Sequence, residues 1–243
     1  MRRDLPEVFE VNAAEPLPAP PAAVSDALRP LLTDERLARI EAVLSRRTRS
    51  VAVVLDGVID PHNVSAVLRS ADAFGIQEVH IIENADPLLA SSRVAKGTER
   101  WLDLIRHASA KACIKALRER GFRVFIAEAK GDPFDFAQGK LGPADLRETD
   151  RVAIVFGNEH SGVGSELRRL ADGAFAIPMR GFVESLNVSV AAAITLYAAT
   201  EGKAGDLSEA DKEALRARFM MLSVPRAHEV VSELVRGRPA RSG

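Results

Sequence analysis

"SVAVVLDGVIDPHNVSAVLRSADAFG", residues 50–75, begins with a run of β-branched residues that is typical of a buried strand. Pro61 and Asn63 favour the start of a helix, and Gly75 favours its end. Between them, apolar residues recur at helical spacing and mark one buried face, while Arg69 falls off that face: Val64, Val67, Leu68, Ala71 and Phe74. The stretch therefore predicts a strand followed by a helix, the repeating unit of a parallel α/β sheet.

The same alternation continues along the chain. Helical patterns near residues 63–74, 110–120, 164–171 and 187–201 separate further strand-like runs, which are EVHII (78–82), FRVFIAE (122–128), RVAIVFG (151–157) and GAFAIPM (173–179). The sequence predicts an α/β fold whose parallel sheet is covered by helices on both faces. The glycines of FGNEHSGVG (156–164) fit neither a P-loop nor a Rossmann turn, so a conventional nucleotide site is not expected.

The punctuation of the chain predicts four segments. The proline-rich EPLPAPPAA indicates an extended N-terminal arm over residues 1–30, and DERLARIEAVLSRR indicates an N-terminal helix over 31–49. The alternating strands and helices place the main domain at 50–202. The remaining residues, 203–243, are expected to form a C-terminal helical extension.

Charge is unevenly distributed along the chain. The net charge is −1, but residues 1–35 carry a balance of −4, so the remainder carries +3. The arginines that we consider as RNA contacts belong to two groups, Arg46, Arg47 and Arg49 before the first strand and Arg216, Arg218 and Arg226 near the C-terminus. Such groups are more often solvated surface. Together they permit a polyanionic partner without requiring one.

Composition also limits the location and the metal chemistry. No apolar run is long enough for a membrane span and the N-terminus lacks an apolar signal core, so we expect a cytoplasmic protein without a membrane partner. The single cysteine, Cys113, lies at helical spacing and is predicted to be a small core residue. With one cysteine, neither a disulfide nor a zinc cluster is expected.

Two polar features admit a structural and a functional interpretation. In SLNVSVAAAITLY (185–197), Ser185 and Asn187 are suited to cap a helix, which would explain them without any site. Arg69 lies three residues before Asp72 and would form a surface ion pair if it had no other role. However, Arg69 follows the carboxyl end of a strand, where open α/β sheets place their chemistry.

Three motifs resemble, in order and spacing, those of the SpoU/TrmH branch of the SPOUT RNA 2'-O-methyltransferases. They are PHNVSAVLRSADAFG (61–75), VAIVFGNEHSGVG (152–164) and IPMRGFVESLNVSVAAAITLY (177–197). The resemblance extends over roughly residues 35–235. KGTERWLDL (96–104) and FMMLSVPRAHEVVSEL (219–234) are most similar to the tRNA (guanosine-18-2'-O)-methyltransferases of that family.

The resemblance implies a SPOUT-type parallel sheet with a C-terminal deep trefoil knot, a homodimer, and S-adenosyl-L-methionine as the cofactor. The catalytic residues carried over from the family are Asn63, Arg69, Glu159, Ser185 and Asn187. The cofactor-binding residues carried over are Ala127, Phe156, Gly157, Ile177, Pro178, Met179, Leu186 and Asn187. Methyl transfer from a sulfonium requires no metal ion, so none is expected.

The family's arginine, Arg69, is often cast as a base. Because arginine side chains remain protonated in proteins, we prefer a role as a cation that fixes a phosphate and the developing alkoxide. Asn63 and Glu159 would then orient Arg69 or the substrate, and Asn187 would hold the pocket loop.

The expected reaction is 2'-O-methylation of a ribose in tRNA, with guanosine-18 of the D-loop as the first candidate. Only about 50 residues precede the first strand, which is short for the RNA-binding domain common in ribosomal RNA enzymes of the family. Alternatives are methylation of ribosomal RNA or of an anticodon-loop nucleotide, and an RNA-binding protein of the same fold without catalysis.

Overall fold

The computed structural model describes residues 8–10, 16–58, 60–82, 97–128 and 141–236. They belong to two compact units. The sheet unit contains Thr48–Lys203 together with a short strand near the N-terminus, and the helical unit contains residues 16–47 and 204–236. Among the helices that the structure describes, none combines the length and the apolar character needed to span a bilayer.

The sheet unit is built on a seven-stranded sheet. Its strands are β1 (Val8–Glu10), β2 (Thr48–Asp56), β3 (Ile76–Ile82), β4 (Asp103–His107), β5 (Arg123–Ala127), β6 (Val152–Gly157) and β7 (Gly173–Phe175). They are arranged in the order β1-β4-β3-β2-β6-β5-β7. All neighbours are parallel except β1 and β4, which are antiparallel. The predicted parallel α/β sheet is confirmed.

Helices cover both faces of this sheet. They are α3 (Pro61–Ala73), α4 (Ala110–Glu119), α5 (Ser165–Leu170) and α6 (Val188–Thr200). Successive side chains of β2 point to opposite faces of the sheet and so belong to two apolar cores. Val53 packs in the core that contains residues of α3 and α6, and Val54 packs in the core that contains residues of α4 and α5. Burial on both faces explains why the central strands are continuous apolar runs.

The helical unit contains α1 (Pro21–Leu28), α2 (Asp34–Leu44), α7 (Glu209–Met221) and α8 (Ala227–Arg236). Helix α1 contacts α7 and α8, and α2 contacts α7. The side chains of Arg216 and Glu41 form a two-pronged ion pair at 2.5 and 2.9 Å. Residues from both ends of the chain therefore share one helical unit.

Three sequence-based expectations differ from the structure. The extended arm predicted for residues 1–30 is wrong over Pro21–Leu28, because proline is compatible with the first turn of a helix and Leu28 is buried. The strand predicted to run to residue 179 ends at Phe175. Strand β4 was not predicted, because charged residues such as Asp103 interrupt its apolar pattern, although they are partnered: Arg49 donates to Asp103 at 2.7 Å.

Candidate active site

The loops that carry the three sequence motifs meet at the carboxyl edge of the sheet. Strands β2 and β6 are neighbours at its centre. Chain order proceeds from β2 through β3 to β4 on one side, and β5 and β7 lie on the other, so the strand order reverses between β2 and β6. A reversal of this kind opens a crevice at the carboxyl ends of the strands, where α/β proteins bind ligands.

A chain of hydrogen bonds joins one residue from each motif at this crevice. The Asn63 Nδ2 amide donates to Glu159 Oε1 at 2.8 Å, and Asn187 Nδ2 donates to Asn63 Oδ1 at 3.0 Å. The Asn187 Oδ1 oxygen accepts from the backbone amide of Ser189 at 2.8 Å and so caps α6. Asn187 therefore has the capping role that its sequence predicted and also contacts the first motif.

The loop after β6 is a tight hairpin that holds Glu159 in place. Asn158 and Gly162 exchange backbone hydrogen bonds at 3.0 and 2.9 Å. A Cβ atom added to Gly157 would lie 2.3 Å from the backbone of Gly162 and of Val163. No side chain fits in that space, so glycine at position 157 is a packing requirement of the hairpin.

Two polar residues that the sequence analysis missed anchor this hairpin to the end of β2. The Asn158 Nδ2 amide donates to the carbonyl of Gly57 at 2.8 Å, and the Gly164 amide donates to Asp56 Oδ2 at 2.7 Å. Asp56 is only 4% exposed. Its sequence signal was a carboxylate at the end of an apolar strand, a position where a buried acid needs a donor.

Arg69 lies in a different part of the site. It is exposed on α3 and lines a cavity of about 590 Å³ between α3 and α6, with His62 and Ser65 on one wall and Val190 and Ile194 on the other. Within the described ranges, Arg69 forms no ion pair with Asp72 and no hydrogen bond with Asn63 or Glu159. Its guanidinium is available to an external anion.

The residues considered for the cofactor lie along the ends of β5 and β6 and the loop 176–187. Ala127 ends β5 and Gly157 ends β6, whereas Phe156 is 1% exposed with its side chain in the core and could offer a ligand only backbone atoms. The others lie in the loop, where Ile177, Met179 and Leu186 are half-buried and Pro178 and Ser185 are exposed.

The backbone of this loop suits a nucleoside ligand. The Ala176 amide donates to the carbonyl of Leu141 at 3.1 Å, which fixes the start of the loop. From Ile177 to Leu186, no backbone amide donates to a backbone carbonyl of another described residue. Such amides can pair with the edge of an adenine or with ribose hydroxyls. The residues present thus fit a cofactor of the S-adenosyl-L-methionine kind.

The six arginines considered for RNA are not equivalent. The prediction for Arg47 is wrong: it is 2% exposed, and its guanidinium lies over the ring of Phe219 at 5.8 Å from the centroid. Arg49 and Arg216 are engaged with carboxylates. The remaining three are Arg218, which is half-buried, Arg226, which is exposed and pairs with Glu229, and Arg46, which is exposed.

Comparisons with known proteins agree with this geometry. The model of the SpoU rRNA methylase family matches residues 50–197. A tRNA (guanosine(18)-2'-O)-methyltransferase of Thermus thermophilus is 40% identical over 167 residues, which cover 69% of this chain and 82% of the relative. The enzyme with the same name from Borreliella burgdorferi is 31% identical over 197 residues, which cover 79% and 87%.

Solved structures show the same fold. The A. aeolicus TrmH/SpoU tRNA modifying enzyme superposes with a TM-score of 0.65 at 26% identity and covers 79% of this chain and 98% of its own. The SpoU methyltransferase AviRb from Streptomyces viridochromogenes, in complex with AdoMet, gives 0.52 at 26% identity and covers 65% and 60%. The chain therefore belongs to the SpoU family of RNA methylases.

Proposed function

We propose that the protein uses S-adenosyl-L-methionine to methylate a ribose 2'-hydroxyl in tRNA, most specifically that of guanosine-18 in the D-loop. The observation that carries the proposal is the hydrogen-bonded chain from Glu159 through Asn63 to Asn187, which joins the three motifs next to the cavity of Arg69. The relatives from Thermus thermophilus and Borreliella burgdorferi bear the name of this activity.

The cofactor would be held mainly by backbone. The amides between Ile177 and Leu186 would contact its adenine and ribose. Gly157 would let the hairpin at residues 158–162 fold back closely against the end of β6. S-adenosyl-L-methionine supplies a methyl group that the adjacent positive sulfur has already activated. The contribution of the protein is then to position a hydroxyl in line with that methyl and to stabilise the oxygen's developing negative charge.

Arg69 is the proposed source of that stabilisation. Its guanidinium is exposed in the cavity and has no anionic partner among the described residues, so an RNA phosphate and the reacting oxygen can both approach it. Asn63 and Glu159 are bonded to each other and not to Arg69. We therefore assign them to holding the loops and the substrate, with Asn187 holding the cofactor loop and Ser185 exposed beside it.

Two other RNA targets have specific support. A 23S rRNA (guanosine-2'-O-)-methyltransferase RlmB of Vibrio cholerae is 37% identical over 162 residues, which cover 66% of this chain and 62% of the relative. A structure described as giving insights into 2-OH methylation of C/U34 on tRNA is 30% identical with a TM-score of 0.50. The first relative supports ribosomal RNA as a runner-up substrate, and the second supports the anticodon loop of tRNA.

The test is methylation of defined RNAs. Unmodified tRNA transcripts are incubated with methyl-labelled S-adenosyl-L-methionine, digested and mapped, with ribosomal RNA in parallel; we expect 2'-O-methylguanosine at position 18. A transcript that carries 2'-deoxyguanosine at that position is the matched control, because it lacks the accepting hydroxyl. Label in the anticodon loop, or only in ribosomal RNA, would select a runner-up substrate.

Calorimetry separates an enzyme from a non-catalytic RNA-binding protein. If the loop from Ile177 to Leu186 binds the cofactor, titration with S-adenosyl-L-methionine should release or absorb heat with saturation. If the protein binds tRNA but does not bind the cofactor at millimolar concentration, the result would support a non-catalytic RNA-binding protein.

The trefoil knot expected from the family is also part of the proposal. The chain leaves β7 at the sheet edge, and α6 then packs against α3 and against the 3₁₀ helix Asp145–Glu148 that precedes β6. Helix α6 thus contacts the described part of the chain between β5 and β6. A crystal structure that follows the chain from β5 to α6 would test whether it forms a knot.

A homodimer is the proposed assembly. Helix α6 exposes apolar side chains on one face, where Val190 is 46%, Ile194 41% and Tyr197 52% exposed. A second copy is a suitable cover for such a face. Sedimentation should show a dimer, and Tyr197→Arg should weaken it; a monomeric wild-type protein with full activity would contradict the assembly.

We place the protein in the cytoplasm, where a tRNA substrate would be met.

A further inference from the structure

A cluster of metal-ligating side chains lies inside the sheet unit, away from the residues assigned above. His80 on β3, His107 on β4 and Cys113 on α4 are 1%, 0% and 0% exposed. One ligand atom from each residue lies within 4.8 Å of the ligand atoms of the other two. Since His80 is opposite Ile105 in the parallel ladder, it shares a sheet face with His107, two residues further along.

The two imidazoles satisfy only part of each other's hydrogen-bonding capacity. His80 Nδ1 and His107 Nε2 are 2.7 Å apart, and the rings are stacked with centroids 5.0 Å apart. Among the described residues, His80 Nε2 and His107 Nδ1 have no hydrogen-bond partner although both are buried. The two facing nitrogens, His80 Nδ1 and His107 Nε2, are thus the atoms placed to share a bound ion.

Burial acts in opposite directions on the ligating forms of His107 and Cys113. Burial, together with the neighbouring His80, lowers the pKa of His107 to about 4, which favours the neutral imidazole. Burial raises the pKa of the Cys113 thiol to about 12. A thiol in such a place is unreactive by itself, but a bound cation displaces its proton outright.

Glu78 completes the arrangement. Its Oε2 lies 3.7 Å from His80 Nε2, and its other oxygen is held by Arg49 and by Arg120, the latter at 2.8 Å. A carboxylate behind the outer nitrogen of a histidine is the usual support of a metal-bound imidazole, because it fixes the ring orientation and raises ligand basicity.

We propose that His80, His107 and Cys113 supply three of the four ligands of a buried zinc ion. Two histidines and one cysteine suit the borderline softness of zinc, with nitrogen at about 2.0–2.1 Å and sulfur at about 2.3 Å. Tetrahedral ligands at these lengths are about 3.3–3.6 Å apart, so the histidine pair opens slightly and the most distant ligand moves inward by side-chain rotation.

This proposal departs from the expectation of a metal-free protein and concerns stability, not methyl transfer. It therefore stands or falls separately from the proposed function. The ion would link β3, β4 and α4. The charge of Asp56 also raises the pKa of Cys113, and the Asp56 carboxylate anchors the hairpin of the candidate active site.

The test is metal analysis of the full chain, purified without chelator from zinc-supplemented medium. We expect about one zinc ion per chain by mass spectrometry. Protein stripped of metal and reloaded with cobalt(II) should show a thiolate-to-cobalt charge-transfer band. In Cys113→Ala the band should vanish and zinc affinity should fall by more than about 100-fold, beyond the effect of losing a supporting residue.

His228→Ala is the matched control, because it removes an imidazole from the helical unit and should leave zinc content and the cobalt band unchanged. If Cys113→Ala does not fold, the wild-type zinc content and cobalt spectrum decide by themselves. Wild-type protein with less than about one tenth of an equivalent of metal and no band overturns the proposal. Copper without zinc, or zinc retained in folded Cys113→Ala, overturns it as well.

Discussion

Replacing Asn187 by alanine should destabilise the sheet unit, because this side chain caps α6, accepts from the Ser189 hydroxyl and donates to Asn63. As the cap of α6, its Oδ1 accepts from the Ser189 amide at 2.8 Å, and losing such a cap costs about 1 kcal/mol. Its Nδ2 donates to Asn63 at 3.0 Å. Because Asn63 is 8% exposed, an unpaired oxygen there costs about 1 kcal/mol, the low end since Asn187 is exposed and water can enter. The expected loss is about 2 kcal/mol.

The assay can be confined to the relevant unit. Trp101 is the single tryptophan of the chain and lies in the 3₁₀ helix Glu99–Trp101 of the sheet unit. Its fluorescence during urea unfolding reports the free energy of unfolding of that unit, and an unchanged m-value would show that the denatured state is not altered.

Asn187→Asp is the matched control. Aspartate caps a helix as well as asparagine does, but it has no amide to donate to Asn63. It should therefore cost about 1 kcal/mol, roughly half the loss in Asn187→Ala. A loss below about 0.5 kcal/mol in Asn187→Ala would refute the assignment of both contacts. Equal losses in the two variants would show that the cap contributes nothing.

Three further outcomes follow from the geometry. Arg69→Ala should lower single-turnover methylation by about 100-fold or more and leave cofactor binding by calorimetry near normal; a wild-type rate would remove Arg69 from the mechanism. Gly157→Ala should cost at least about 3 kcal/mol in thermal unfolding, because the added Cβ would lie 2.3 Å from backbone atoms of the hairpin; a stable variant would contradict that hairpin geometry. Arg47→Ala should destabilise the protein by about 2 kcal/mol. Arg46→Ala should change stability by no more than about 0.5 kcal/mol and should reduce the slope of the salt dependence of tRNA binding by about one unit. The reverse pattern would indicate that Arg47 contacts RNA.

The local pattern of the chain predicted most of the sheet. Strands such as β2 and β6 are continuous runs of Val, Ile and Ala because both of their faces are buried, and this signal needs no knowledge of the partner strand. Strand β4 escaped prediction for the opposite reason. Its Asp103 is tolerated because Arg49 of β2 donates to one carboxylate oxygen and Gln77 of β3 donates to the other, and nothing local records those pairings.

The candidate site was predicted as a set of residues without their arrangement. The three motifs identified Asn63, Glu159 and Asn187, but the hydrogen bonds that join them span 96 and 124 positions of sequence. The same limit applied to the arginines. Arg46 and Arg47 are adjacent and chemically identical, yet one is exposed and the other is 2% exposed.

The sequence by itself determined the parallel α/β sheet, the capping role of Asn187 and the family of the chain, because periodicity, caps and motifs are local properties. Only the tertiary structure decided that Pro21–Leu28 is a helix, that Arg47 is buried, and that His80, His107 and Cys113 meet. The physical reason is that burial and side-chain pairing depend on which segments the sheet brings together. A periodic pattern specifies the face on which a residue lies, and it leaves open what the fold places against that face.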